Sequence, residues 1–311
     1  MRYGFGVDIY GEQAKIGFFN ENGILLDKWK LSISQMRDGN QILPMLAQEI
    51  EEYLRTHRIF EDDVIGIGVG IPGPVNSTGT VNKCVNLGWG VFNVDRALSG
   101  LTGLRVKSGN IATLSAVGEC WKGSGTNNMA FVAMNVGLGG AVVCDGNVVH
   151  GAHGGGGEFG HMVMNKNEQV ACTCGRRGCL EQYCSPTGII RMAKRQLAAT
   201  NAPSVLRRRP PQSYDDVLKA AASGDKVATQ VMAQFYDYMG HFLANVCSVT
   251  NPDTVVLGGE FCRMGLPVLE SISRSFQQYV FHANKNVQFR HAALGTDACL
   301  FGAFKSVLDQ E

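Results

Sequence analysis

What is scarce in this chain of 311 residues narrows its identity before any motif is read. No apolar run approaches the ~18 residues that a bilayer-spanning helix needs, so no membrane partner is expected. Met1 to Asp8 lacks the long apolar stretch of a secretory leader, which points to the cytoplasm. Neither sign of charge dominates: Lys and Arg total 28 against 27 for Asp and Glu, a formal net charge of +1. A dedicated nucleic-acid surface is therefore not expected. The 10 cysteines are too dilute for a disulfide framework. Three of them, Cys172, Cys174 and Cys179, crowd into one short segment, which in a reducing compartment suggests metal before disulfide. Hydrophobic residues at 45% and charged residues at 18% exclude a disordered chain. Glycine is plentiful, at 39 residues, but follows no G-X-Y period. These glycines are bends and close backbone approaches rather than collagen.

Strand and helix signals alternate, which gives an α/β class, and the length favours two domains. Phe5–Ile9 is an apolar strand, residues 10–13 turn, and Ala14–Asn20 alternates back. Residues 41–57 have helical spacing, Val64–Val69 is a buried strand running into the rigid loop Gly70–Pro74, and 111–122 is helical. The opening pattern then returns: Met129–Met134, a glycine turn at 135–140, and a strand at Ala141–Cys144. Two such copies suggest a duplicated domain. Residues 145–185 read as a long functional or metal-pinned loop, and 201–212 as a surface loop whose Arg207, Arg208 and Arg209 are solvated. Ser213 with Asp216 forms a capping box for a helix to Ala222. A longer helix spans 225–249, Asn251–Asp253 stops it, Thr254–Leu257 is a strand, and 298–309 is a final helix.

The segment 158–181 reads Glu158-Phe159-Gly160-His161, then Cys172-Thr173-Cys174-Gly175, then Gly178-Cys179-Leu180-Glu181. It strongly resembles the signature of the ROK family (repressors, open reading frames, sugar kinases), E-x-G-H followed by C-x-C-G-x-x-G-C-x-E. Gly70–Pro74 resembles the sugar-side loop of that family, and Asn86-Leu87-Gly88-Trp89 a motif common in its glucokinases. Val256–Gly259 is similar to its adenosine-side turn, and Gly302-Ala303 to the opening of its C-terminal helix. The resemblance implies a two-domain ribonuclease-H-like (actin/hexokinase) fold with the sugar in a central cleft, and often a homodimer. The expected division is a small lobe of residues 1–108 plus the returning helix 297–311, and a large lobe of 109–296 with the zinc loop.

The resemblance also assigns residues. A structural zinc falls to His161, Cys172, Cys174 and Cys179, an imidazole and three thiolates suited to tetrahedral coordination at about 2.0–2.3 Å. Sugar contacts fall to Gly73, Asn110, Glu158, His161 and Glu181, with Asn86 as a further candidate. His161 then serves twice, one ring nitrogen on the metal and the other on a hydroxyl.

The departures fall on the phosphate side. The family's kinases carry an N-D-A-N-like element whose Asp takes the proton of the attacking hydroxyl. Aligned on Gly118-Glu119, this chain has Asn110-Ile111-Ala112-Thr113, and isoleucine accepts no proton. Loss of a general base costs about 10²- to 10⁴-fold. The family's D-I-G-G-T appears as Asp8-Ile9-Tyr10-Gly11-Glu12, adding bulk and a negative charge where phosphate would lie. Its G-T-G-x-G-G appears as Asn135-Val136-Gly137-Leu138-Gly139-Gly140, which loses a hydroxyl donor. Asp8, Gly137, Gly139, Gly258 and Gly259 remain as nucleotide-side candidates. Losses sorted to one side favour a sugar-binding protein impaired in phosphoryl transfer. The alternative is a working ATP- and magnesium-dependent hexose kinase. A sugar-responsive regulator is a minor third reading, because the fold begins by Phe5 and leaves no room for a preceding DNA-binding domain.

Overall fold

The computed structural model describes residues 1–33, 41–82, 84 and 87–310; Asn86 lies outside them. The chain divides into two compact units, residues 1–127, 146–156 and 293–311, and residues 128–145 and 157–292.

In the first unit, β1 (Tyr3–Tyr10) and β2 (Gln13–Asn20) form an antiparallel hairpin that β3 (Leu25–Ser32) extends. β4 (Val64–Ile71) and β7 (Val106–Asn110) join in parallel on the other side, in the order β3-β2-β1-β4-β7. Alternation decides the two faces. Ile67, Val69 and Ile71 point into a core with Phe5, Val7, Ile9 and the apolar stripe of α1 (Ile42–His57). The intervening Gly68 faces α11 (Ala298–Leu308), where an added Cβ would lie 1.8 Å from the Ala303 carbonyl oxygen. Helix α3 (Ile111–Lys122) meets α11 in the same way: a Cβ on Gly302 would lie 1.7 Å from the Leu114 carbonyl oxygen. Several of the glycines thus bring α11 against bare backbone. Helix α3 thus lies in the first unit, whose opening segment runs to residue 127. Glu119, fully buried on α3, accepts hydrogen bonds from Ser124 N, Ala293 N and Leu294 N at 2.9, 3.0 and 2.8 Å.

This unit also holds β5 (Thr80–Val81), β6 (Phe92–Asn93), α2 (Val94–Thr102) and β10 (Asn147–Val148). The strand β3, α2 and β7 were not expected. Residues 94–102 form a helix because Asn93 caps Arg96 N and Gly103 closes it with positive φ.

The second unit repeats the plan. β8 (Met129–Met134) and β9 (Leu138–Cys144) are antiparallel, and β11 (Thr254–Gly259) and β12 (Gln288–His291) follow in parallel beside β8. Strand β9 starts at Leu138, so the turn is shorter than the expected 135–140. The helices are α4 (Glu181–Cys184), α5 (Pro186–Ala199), α6 (Val205–Arg208), α7 (Tyr214–Ala222), α8 (Lys226–Thr250), α9 (Glu260–Met264) and α10 (Leu266–Tyr279). The expected capping box is present: Ser213 Oγ accepts from Asp216 N at 3.2 Å and the Asp216 carboxylate accepts from Ser213 N at 3.0 Å. The expected surface loop 201–212 contains one helical turn, because Ser204 caps Leu206 N and Leu206 is buried. Phe235 and Phe242 of α8, Ile272 and Phe276 of α10, and Val255 and Leu257 of β11 share one core. Each such side chain contributes roughly 1.5–3 kcal/mol of burial. Among the described residues no helix is long and apolar enough to cross a membrane.

Candidate functional site

The metal group assembles from one loop of the second unit. Phe159–His161 is a single 3-10 turn, and the backbone folds back so that Leu180 N bonds Met162 O and Met164 N bonds Gly178 O, both at 2.8 Å. Gly178 has positive φ, and a Cβ there would sit 1.9 Å from the Asn165 carbonyl oxygen, so only glycine closes the loop. The result gathers one donor atom each from His161, Cys172, Cys174 and Cys179 within 4.8 Å of one another. Cys172 Sγ lies 3.8 Å from His161 Nδ1, and Cys174 Sγ 3.6 Å from Cys179 Sγ. A tetrahedral zinc with bonds of about 2.3 Å spaces its sulfurs by about 3.8 Å, so this donor set fits the ion. Burial opposes ionisation of Cys174, but hydrogen bonds from Arg176 outweigh it and bring this thiol down to about 7. Burial pushes Cys179 up to about 12. A bound cation reverses that order by stabilising every thiolate. Approach through Nδ1 leaves the other ring nitrogen of His161 available to a further ligand.

Glu181 opens α4 and is tied inward. Its Oε2 accepts from Leu138 N at 3.0 Å, at the start of β9. A Cβ on Gly137 would lie 2.2 Å from that same oxygen. A side chain at position 137 would therefore displace the Glu181 carboxylate. Glu158 is exposed and precedes the 3-10 turn.

In the first unit, Asn110 and Gly73 are brought together: Asn110 Nδ2 donates to Gly73 O at 3.1 Å. Asn110 Oδ1 meanwhile caps α3, accepting from Ala112 N at 2.8 Å and Thr113 N at 3.3 Å. Ile111 is thus the first residue of α3, where a carboxylate would be favoured by the helix dipole. Instead its side chain packs on Leu114, Cys299 and Ala303.

Asp8, near the end of β1, is buried and its Oδ1 has no hydrogen-bond partner among the described residues. Burial raises its pKa to about 6, with Lys15 and a hydrogen bond from Cys299 only partly opposing. Lys15, itself 5% exposed, donates to Thr296 O and pairs with Asp297 at 3.2 Å. Lys28 pairs with the other Asp297 oxygen at 2.5 Å, and these ammonium groups hold Asp297 below its ordinary pKa despite burial. Sequence reasoning missed Lys15, Asp297 and Cys299. A lysine inside the otherwise buried strand β2 was the available signal. Nothing linked it to a residue 282 positions away. Gly11 takes positive φ in the two-residue turn before Gln13, the usual hairpin geometry, and Glu12 points to solvent. On the nucleotide side, Gly258 packs under the Phe131 ring, and Gly259 takes positive φ where a Cβ would lie 2.2 Å from Met134 O. Gly139 lies within β9.

Two sheets that share one strand plan, helices packed on them and a Cys/His cluster on a long loop define an α/β protein of the actin/hexokinase-like type. The ROK family profile matches residues 4–310, and the chain belongs to the ROK family. It is 33% identical to a glucokinase of Halalkalibacterium halodurans, over 100% of this chain and 96% of that one. Among solved structures, a ROK family transcriptional regulator, a homolog of the E. coli MLC protein, superposes with a TM-score of 0.87 at 26% identity. That likeness covers 98% of this chain and 78% of the regulator. A ROK family glucokinase from Streptomyces griseus in complex with glucose and AMPPNP gives a TM-score of 0.78 at 27% identity, with 98% of each chain covered.

Proposed function

We propose that this ROK protein binds a hexose or N-acetylhexosamine and transfers phosphate poorly or not at all. The observation that carries the reading is Ile111. The first position of α3 holds an apolar side chain packed on Leu114, Cys299 and Ala303, not a proton acceptor. Glu12 and Val136, both exposed, stand where the family's phosphate loops carry threonine. Gly73, Asn86, Asn110, Glu158, His161 and Glu181 are the proposed sugar contacts. His161, Cys172, Cys174 and Cys179 hold a structural zinc, which fixes the loop from which Glu158 and Glu181 project.

The second reading is an ATP- and magnesium-dependent sugar kinase. It is supported by the full-length likeness to a glucokinase and by the glycines at 137, 139, 258 and 259. The likeness to a transcriptional regulator supports a third, a sugar-responsive regulator. Calorimetric titration with a panel of hexoses and N-acetylhexosamines, with and without ATP and magnesium, separates them when run beside a coupled-enzyme assay. Sugar binding without turnover is the expected result. Robust turnover would establish the kinase, and absence of binding across the panel would remove the sugar site.

A further inference from the structure

The metal loop contains a buried carboxylate that neither the sugar nor the metal reading uses. Glu168 lies between His161 and Cys172, and its side chain is 1% exposed. Arg195 grips it with two hydrogen bonds, Nη1 to Oε2 and Nη2 to Oε1, each 2.7 Å. Tyr183 Oη donates to Oε2 at 2.7 Å, Arg191 Nη2 to Oε2 at 3.3 Å and Val170 N to Oε1 at 2.9 Å. The Arg195 guanidinium, foremost among these partners, holds the carboxyl well below the usual range against the effect of burial. Filling the acceptors in this way offsets the cost of burying the charge.

Tyr183 and Arg191 also bond to the chain that presents the thiols. Tyr183 Oη accepts from Asn165 Nδ2 at 3.0 Å, and Arg191 Nη2 donates to Gln182 O at 2.7 Å. Gln182 Oε1 accepts from Gly178 N at 2.8 Å and Cys179 N at 3.2 Å, and its Nε2 donates to Val170 O at 3.0 Å. The network therefore touches the backbone before Cys172 and at Cys179, and its arginines stand on α5, outside the loop.

We propose that Glu168 is a positioning residue of the metal centre: clamped by Arg195, Arg191 and Tyr183, it holds the loop 165–182 in its ligating shape before the metal arrives. The proposal rests on the metal reading above. It makes metal capture a docking onto a preformed site rather than a folding event.

The test uses the full chain. Zinc affinity is measured by competition with a chromogenic chelator, cobalt(II) absorption reports ligand geometry, and far-UV circular dichroism reports the fold. Glu168→Gln is expected to bind zinc about 10- to 100-fold more weakly, the range found when outer partners of metal ligands are lost. Its cobalt spectrum should depart from tetrahedral while the circular dichroism stays native. Arg195→Gln, at a half-exposed position, should weaken binding in the same direction should Glu168→Gln fail to fold. Amide exchange on the metal-stripped wild type supplies a measurement that needs no variant: Val170, Gly178 and Cys179 should remain protected. Unchanged zinc affinity in a folded variant, or free exchange of those amides without metal, overturns the proposal. A wild type that takes no zinc overturns the metal reading and this inference together; a wild type that binds zinc beside an unaffected Glu168→Gln overturns this one alone.

Discussion

Asp8 and Glu168, two of the buried carboxylates and one in each unit, sit in opposite electrostatic settings. Glu168 has both oxygens filled by donors and is held far below its ordinary pKa. Asp8 has an oxygen with no partner among the described residues and is raised to about 6. A satisfied buried charge fixes a structure; an unsatisfied one marks a place where stability has been given up. The buried carboxylate of the 158–181 loop thus has its acceptors filled, whereas at the end of β1 one acceptor has no hydrogen-bond partner among the described residues. The proposed function follows the same division: it keeps the Cys/His cluster intact and reads Tyr10, Glu12, Ile111 and Val136 as departures on the phosphate side.

The strongest way to break this comparison is to remove a thiolate. Cys179→Ser should lower zinc from about one ion per chain to near zero by elemental analysis. Binding at a structural site carries on the order of 10 kcal/mol in small zinc peptides. A melting temperature several degrees lower is therefore expected, together with loss of any sugar-induced thermal shift. A variant that retained both metal and shift would show that Cys179 is only a buried thiol.

Next in size is restoration of the phosphate side. Ile111→Asp gains a favourable helix-dipole position, yet alone it should leave turnover near background, because charge placement around the phosphate carries most of such a reaction. Combined with Tyr10→Gly, Glu12→Thr and Val136→Thr, it should raise turnover by about 10²- to 10⁴-fold, the range a positioned general base supplies. The gains should be non-additive, since the groups act as one unit. A coupled-enzyme assay decides, and strong turnover from Ile111→Asp alone would show that the two loops were never limiting.

How much of this was legible in the sequence follows from the range of the interactions concerned. The Cys/His cluster lies in one segment of some twenty residues, so spacing and residue type pointed to it and the family resemblance completed the set. The repeated strand–turn–strand plan was visible because hairpins are local. Helices α5 and α10 carry apolar residues at helical spacing (Ile189, Met192 and Ala193; Val268, Leu269, Ile272 and Phe276), but the neighbouring glycine- and cysteine-rich stretch obscured the first. The helix at 111–122 was legible, but its packing was not, because that depends on Gly118 and Gly302 meeting across distant parts of the chain. Glu168 and Lys15 were invisible for the same reason: a charged residue looks like surface until its partners are known.

The finest test concerns Asp8 itself. Its folded-state pKa of about 6 stands above the ordinary value of 3.8, so the folded chain holds this proton more tightly than the unfolded one. Stability then falls as pH rises from about 4 to 6, and above that range the cost is fully present. About two units correspond to roughly 3 kcal/mol at most. Asp8→Asn, which removes the charge and keeps the shape, should therefore stabilise the protein at pH 8 by up to that amount. The advantage should shrink as pH falls through 6 and vanish near 4. Urea unfolding of both proteins across this range measures the difference directly. A difference that stayed constant with pH would mean that the carboxylate is satisfied after all, and the contrast with Glu168 would collapse.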